Sequence, residues 1–332
     1  MPSLNNPTVL ATSSTHAAAA PCAVLSREAL REYAASGYVA IPDLCSAGDL
    51  AEIRATLLEF FRRQVGRDEG SQFDMLGLDV DASAARQPQM LKPSVFAPAL
   101  LRTEYFDKLQ SAARQLLGPD AQFSFDHCIL KPAQSAAATP WHQDEASHDH
   151  KYLRYRQVSF WMPLQDTPLE AGCMRYIPGS DRGPLLPHRR VNDDPRIHAI
   201  ECRTDNFDES LAVAVPAAAG SCIAHDGRTV HSAMPNVSAA ERFAYIVVFT
   251  SPPVLARHAR AVTLAASDTA NLRRRTRWLR RGGFLIYGLR RLRHPLRSGP
   301  RALWRKVRLI LRAVWLRVRA GRPAAPSSLS RE

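Results

Sequence analysis

The sequence predicts a mainly β protein with helices: a double-stranded β-helix (jelly-roll or cupin-like) core with an N-terminal helical buttress and C-terminal basic amphipathic helices. Three observations carry that expectation. Residues 121–250 contain "AQFSFDHCILKP", "YRQVSFWMPLQD", "GCMRYIPGS", "LAVAVPAAAGSCIAHD" and "RFAYIVVFT", short β-branched or aromatic runs separated by Pro, Gly, Asn and Asp. Closely spaced strands without helical patterns between them argue for an antiparallel sandwich rather than a parallel sheet. Ahead of them lie three helical patterns, and behind them residues 271–322 carry eighteen Lys and Arg with no Asp or Glu.

The elements follow in order. Ser26 can cap free backbone N–H groups and Gly37 takes the left-handed conformation at little cost, so the spacing predicts a helix between them. "YVAIPDL" reads as a strand, and a second helix is expected from about Asp49 to Gln64, with Leu50, Ile53, Leu57, Leu58 and Phe61 at helical spacing. Residues 66–90 are polar and read as irregular, and "LLRTEYFDKLQSAARQLLG" reads as a third helix closed by Gly118. No internal repeat is visible. The division expected is a disordered leader at 1–24, a catalytic domain at 25–252 and a basic extension at 253–332.

A chain of 332 residues with 45% hydrophobic side chains can bury one large core. Its formal charge of +13 belongs to the C-terminal stretch: less those eighteen charges, the rest carries −5. Cys22, Cys45, Cys128, Cys173, Cys202 and Cys222 form no CxxC pair, which reads as buried thiols in a reducing compartment rather than a zinc site or a disulfide framework. "MPSLNNPTVLATSSTHAAAA" has no basic start and only alanine-rich apolar content, too weak for a secretory signal; no run of eighteen apolar residues spans a bilayer.

Chemistry concentrates in "PWHQDEASHDH", residues 140–150, with His142, Asp144, Glu145, His148, Asp149 and His150 as candidate ligands. On a strand, side chains alternate, so His142 and Asp144 share one face and Gln143 the other. HxD alone is a weak signal, more often found in a surface turn than at a metal. Downstream, "AHDGRTVHSAMPNVSAAERFAYIVVF" offers His225 and His231, with Arg242 opening the last strong strand. Two histidines and a carboxylate leave three adjacent positions of a metal open, which suits non-haem Fe(II) binding a co-substrate and O₂ together. An arginine inside such a barrel suits a dicarboxylate, because its planar fork grips a carboxylate and keeps its proton.

Together "PWHQD", "GCMRYIPGSD" and "HDGRTVHSAMPNVSAAER" resemble the phytanoyl-CoA dioxygenase family of Fe(II)/2-oxoglutarate oxygenases, from about Leu25 to Phe249 and including "LREYAASGYVAIPDL". The resemblance implies a hydroxylase using Fe(II), 2-oxoglutarate and O₂. It implies His142, Asp144 and His231 as iron ligands, and Arg242, eleven residues after the last of these, as the partner of the distal carboxylate of 2-oxoglutarate. By the same resemblance Trp161 lies near the co-substrate, Thr167 offers it a hydroxyl and Lys92 an upstream basic contact. Each has a plainer alternative: Trp161 as core, Lys92 as a solvated loop residue. Two positions depart from the family pattern: Asp181 replaces the histidine of "PGSH", and Ala233 stands where a serine can touch 2-oxoglutarate. Asp144 is present where halogenating relatives lack a carboxylate, which disfavours halogenation. Glu145, His148, Asp149 and His150 read as a solvated loop at the substrate rim, and His225 as a hydrogen-bonding partner of the metal site.

In the extension, Leu303, Trp304, Val307, Ile310, Leu311, Val314, Trp315 and Val318 fall on one helical stripe flanked by arginines, and "NLRRRTRWLRRGGFLIYGLRRLRHPLR" repeats the theme around Gly282 and Gly283. Such a helix suits an anionic membrane surface, engaged through residues 271–320; nucleic-acid binding is disfavoured because it needs no continuous apolar face. A helix that docks on the body is the remaining alternative. The expectation is a cytoplasmic enzyme, peripheral on the inner face of the membrane, acting on a small-molecule or lipid-linked substrate, best matched by the Kdo sugar of lipopolysaccharide (Kdo2-lipid A). An acyl-thioester, another lipid or a soluble secondary metabolite fits the same iron site. A non-catalytic jelly-roll module with an RNA- or membrane-binding tail is the competing class.

Overall fold

The computed structural model describes residues 24–148, 152–256 and 268–293, with side chains to residue 290. The expected leader up to residue 23, Asp149, His150 and the stripe at 303–318 lie outside the described residues.

Capping residues set the helices. In α1 (Arg27–Ser36) the Ser26 hydroxyl accepts from the Ala29 N–H, and Gly37 closes the helix at φ 80°. β1 (Tyr38–Ile41) follows. α2 (Ala47–Arg62) begins two residues before the expected Asp49, because Ser46 is its cap and accepts from the Asp49 N–H. The Asp49 side chain instead accepts from the Tyr105 N–H at the start of α3 (Glu104–Leu117), tying the two helices together. Within 66–90, expected to be irregular, run β2 (Gln72–Asp74) and β3 (Pro88–Leu91). Strands of three and four residues carry too little alternation to be read; pairing with their neighbours creates them.

The remaining strands are β4 (Gln122–Lys131), β5 (Thr139–His142), β6 (Leu153–Arg154), β7 (Gln157–Pro163), β8 (Met174–Tyr176), β9 (His188–Arg190), β10 (Ile200–Cys202), β11 (Val213–Val215), β12 (Cys222–Asp226), β13 (His231–Ala233), β14 (Arg242–Thr250) and β15 (Val254–Leu255). A seven-stranded sheet runs β1-β12-β7-β14-β4-β3-β2 and a four-stranded sheet β11-β8-β13-β5, both antiparallel. Their facing sides close the double-stranded β-helix over Trp161, Ile223, Ala244, Ile246 and Val248 from the large sheet and Met174, Tyr176 and Ala233 from the small one.

The helices cover the other face of the large sheet. There Ile53 and Leu57 of α2 and Tyr105, Phe106 and Leu109 of α3 pack with Phe160, Met162, Phe243, Tyr245 and Val247. Each such apolar side chain stabilises by about 1.5–3 kcal/mol when fully buried. β7 and β14 are therefore buried on both faces at every residue, which explains why "RFAYIVVFT" shows little polar alternation. Beyond residue 252 the fold continues: β15 pairs with β6, and α4 (Ala270–Trp278) and α5 (Phe284–Arg293) flank a π-helical turn at Leu279–Gly283, where Gly282 sits at φ 89°. α4 lies against β2 so closely that a Cβ on Gly70 would stand 2.3 Å from the Asn271 carbonyl oxygen. The basic extension thus begins as a docked part of the body.

Candidate metal centre

β5 and β13 pair so that His142 and His231 stand directly opposite each other, their rings 4.2 Å apart. β5 ends at His142 and Gln143 stays extended, so Asp144 turns back to the side His142 faces, although it already opens a 3₁₀ turn, Asp144–Ser147, rather than lying on the strand. Gln143 points the other way, where its amide donates to the Arg228 carbonyl and accepts from the Leu186 N–H. One Asp144 carboxylate oxygen lies 3.6 Å from His142 Nε2 and 3.7 Å from His231 Nε2, too far for hydrogen bonds. One ligand atom from each residue falls within 4.8 Å of the others.

The imidazoles are oriented from behind. His142 Nδ1 lies 2.8 Å from the Pro140 carbonyl and His231 Nδ1 2.8 Å from the Thr229 carbonyl, so each donates there and turns a bare Nε2 inward. Burial, with His142 and His225 alongside, holds His231 well below the ordinary imidazole range, in the neutral form a metal needs. Burial by itself raises the Asp144 carboxyl; His225 and the rings of His231 and His142 outweigh it and carry the group well below the usual carboxylate range. The second Asp144 oxygen accepts from Ser159 Oγ at 2.7 Å and Gln157 Nε2 at 3.2 Å. Two neutral nitrogens and one fixed anion around an open point fit Fe(II).

His225 takes the supporting place: its Nε2 lies 3.5 Å from Asp144, and its Nδ1 3.3 Å from the hydroxyl of Tyr176, whose ring stacks on Tyr38. His148, read as a solvated rim residue, is hydrogen-bonded through Nε2 to Gln157 Oε1 at 2.8 Å and lies against the Tyr155 ring. It reaches the Asp144 carboxylate at one remove.

Strand register lays out the rest of the inner wall. Across the large sheet Val248 sits beside Ser159, Ile246 between His127 and Trp161, Ala244 beside Ile129, and Arg242 beside Lys131. Arg242 is 2% exposed. Its Nη2 donates to the Gly172 carbonyl, its Cζ lies 5.5 Å from the Trp161 ring, and its Nε has no partner; among the described residues it pairs with no carboxylate. Burial pushes it down to about 10. A cation held dry without a counter-ion suits an incoming carboxylate, which fits 2-oxoglutarate as the group that completes the site.

Thr167 and Lys92 are placed less directly. The Thr167 hydroxyl donates to the Gln165 carbonyl and accepts from the Gln165 amide, so it serves a loop bridge to Ala217. Gln165 in turn accepts from the Phe243 N–H, next to Arg242. Lys92 is half-buried at φ 57° just after β3, its N–H donating to the Asp126 carbonyl.

Residues not singled out in the sequence complete the wall. Lys131, 1% exposed, donates to the carbonyls of Ala137, Ala233 and Met234, stapling the chain ahead of β5 and the end of β13 to the large sheet. Burial beside Arg242 and Arg175 pushes its ammonium down to about 6, while three carbonyl acceptors favour the charged form. Gln89 Nε2 lies 3.0 Å from His127 Nδ1, and burial pushes that imidazole down to about 4. The signal was available: Phe125, His127, Ile129 and Lys131 alternate along β4, as Gln157, Ser159 and Trp161 do along β7.

Residues 33–244 match the phytanoyl-CoA dioxygenase (PhyH) family. A probable alpha-ketoglutarate-dependent hypophosphite dioxygenase of Stutzerimonas stutzeri is 27% identical over 222 residues, covering 65% of this chain and 75% of that protein. The structure is similar to that of EvdO2 from Micromonospora carbonacea var. aurantiaca complexed with 2-oxoglutarate, with TM-score 0.61 and 31% identity over 72% of this chain and 96% of the other. It shares its fold with SnoK, a non-heme alpha ketoglutarate dependent carbocyclase from nogalamycin biosynthesis, at TM-score 0.55 and 24% identity over 70% of this chain and 86% of that one.

Proposed function

The chain belongs to the phytanoyl-CoA dioxygenase family of Fe(II)- and 2-oxoglutarate-dependent dioxygenases, and from that premise we propose that it hydroxylates an unactivated C–H bond of a membrane-associated amphiphile. The observation that carries the site assignment is the convergence of His142, Asp144 and His231 on one point, with Arg242 buried beside Trp161 and pairing with no carboxylate among the described residues. His142, Asp144 and His231 hold the iron. When bound, Fe(II) with 2-oxoglutarate and O₂ supplies the oxidising power, the co-substrate leaving as succinate and CO₂.

The chain's own residues set the geometry. Pro140 and Thr229 carbonyls fix both imidazole tautomers, and Ser159 and Gln157 hold the Asp144 carboxylate in one orientation. Arg242, beneath the Trp161 ring, would hold the distal carboxylate of 2-oxoglutarate, and Lys131 ties β13, which carries His231, to the large sheet. Thr167, whose hydroxyl bonds to Gln165 next to Arg242, and Lys92 are the further candidate contacts of 2-oxoglutarate.

For the substrate, support comes from the basic extension, whose arginines suit phosphates and carboxylates held at a membrane. A lipid-linked sugar acid, the Kdo of Kdo2-lipid A, is the best-matched candidate, with the protein peripheral on the inner face of the membrane. An acyl-thioester, another lipid, a soluble metabolite or, after the Stutzerimonas stutzeri relative, hypophosphite are the alternatives.

Purified protein with Fe(II) and 2-oxoglutarate is expected to release succinate slowly even without a primary substrate, and His142→Ala to abolish that release. Absence of succinate under every condition would point to a non-catalytic jelly-roll module. Comparison of lipid extracts from cells with and without the gene tests the substrate class: a mass difference of one oxygen on an amphiphile is expected, and unchanged lipids sink the lipid reading.

A further inference from the structure

The helix pair at the end of the described chain is docked inside out. A helix lying on a protein surface ordinarily turns its apolar stripe to the body and its charges to water. Here three arginines reach inward. Arg274 pairs with Asp79, which also takes Arg67 at 3.0 Å, and Arg290 meets Glu69 at 3.1 Å while its guanidinium lies 4.7 Å from the Phe96 ring. Arg275 stacks on Tyr287 at 5.0 Å, locking α4 to α5. The inward positions of α5 and the turn before it, Gly283, Tyr287 and Arg290, recur every three to four residues, as one face of a helix must.

The apolar side chains around the rest of the helix are open to solvent: Leu285 (61% exposed) and Leu289 (62%) on the far side, Phe284 (60%) and Ile286 (47%) on the flanks. Just before it in the chain Arg277, Arg280 and Arg281 are exposed, and from 268 to 290 the one carboxylate is Asp268, which pairs with Arg273. Exposed apolar side chains next to arginines that pair with no carboxylate among the described residues are complementary to acyl chains beneath anionic headgroups.

We propose that Phe284, Leu285, Ile286 and Leu289 form a preassembled wedge that enters an anionic lipid surface while Arg277, Arg280 and Arg281 engage its headgroups. The wedge rests on the membrane-associated reading above but places the contact on the docked helices, not on the stripe at 303–318. Ion pairs to Asp79 and Glu69 make the wedge rigid with the catalytic body, so binding pays little ordering entropy and fixes how the body faces the lipid.

Sedimentation of the full chain with phosphatidylcholine vesicles, with and without phosphatidylglycerol, tests it. The wild-type chain is expected to sediment only with the anionic vesicles, and less so in high salt. The double variant Phe284→Asp/Leu289→Asp should bind at least about tenfold more weakly, with succinate release unchanged as proof of folding; Trp304→Asp/Trp315→Asp should retain most binding. If the first variant binds like wild type and the second does not, the wedge is overturned and the membrane reading survives. If the wild-type chain ignores anionic vesicles, both fall. A wild-type dimer in solution that the first variant makes monomeric, or preference for an RNA duplex over vesicles, likewise overturns the wedge.

Discussion

Arginine is used in opposite ways in two regions of this molecule. Between the sheets, Arg242 is buried and pairs with no carboxylate among the described residues, beside a second basic side chain, Lys131. At the docked C-terminal helices, Arg274 and Arg290 are partnered within the chain by Asp79 and Glu69. Isolating a cation from water is costly unless something pays its hydration back. Where the partner is part of the chain, the charge is architecture; where none is present among the described residues, the charge is open to an incoming anion. Hydrophobic groups show the reverse contrast, covered around Arg242 by Trp161 and left bare on α5.

The largest break in that comparison comes at the iron site: Asp144→Ala removes its one anion and should bring succinate release down to the level of the buffer blank. Arg242→Met comes next. It keeps the bulk but not the fork, and the Michaelis constant for 2-oxoglutarate should rise by about 10- to 100-fold, the equivalent of about 1.5–3 kcal/mol for a hydrogen bond to a charged group, with Fe(II) binding intact. If that constant does not move, Arg242 is structural like Arg274.

Asp79→Asn tests the other region. It leaves Arg67 and Arg274 half-paired and should cost about 1–3 kcal/mol in denaturant unfolding while uncoupled succinate release stays at the wild-type rate. Loss of turnover there would mean that the two regions are coupled.

The smallest effect concerns a second buried carboxylate, Asp126 on the helix-covered face. Burial pushes it up to about 6 against hydrogen bonds from Ser94 and Tyr245, whereas Asp144 is driven the other way. The folded state therefore holds a proton that the unfolded chain has released. The stability from Asp126 is fully present below the ordinary carboxylate value and lost as pH rises through about 6, at no more than about 1.4 kcal/mol per pH unit. Asp126→Asn should flatten that part of the stability profile; an unchanged slope would mean that Asp126 is ionised.

Much of this was legible in the chain. Ser26 and Gly37 bracket α1 as expected, because capping is decided by neighbours within four residues. β4, β7 and β14 were readable because each carries enough β-branched or aromatic residues to mark a strand. β2 and β3 were not, since Gln72, Asp74, Pro88 and Gln89 have no strand preference of their own; β3 is held by β4 and β2 in turn by β3. His148 was read as solvated because nothing near it in sequence announces Gln157 as its acceptor.

By itself, the sequence determined the order of helices and strands, the alternation that turns His142 and Asp144 to one side, and the basic character of the extension. Those depend on period and local capping, which are written residue by residue. Only the tertiary structure decided that His231 faces His142 across a strand pair, that Lys131 staples that pair to the large sheet, that Arg242 lacks an anion where Arg274 has one, and that α5 shows its apolar face to solvent. Each is a matter of which distant segment supplies the partner, and burial makes the presence or absence of that partner costly enough to matter.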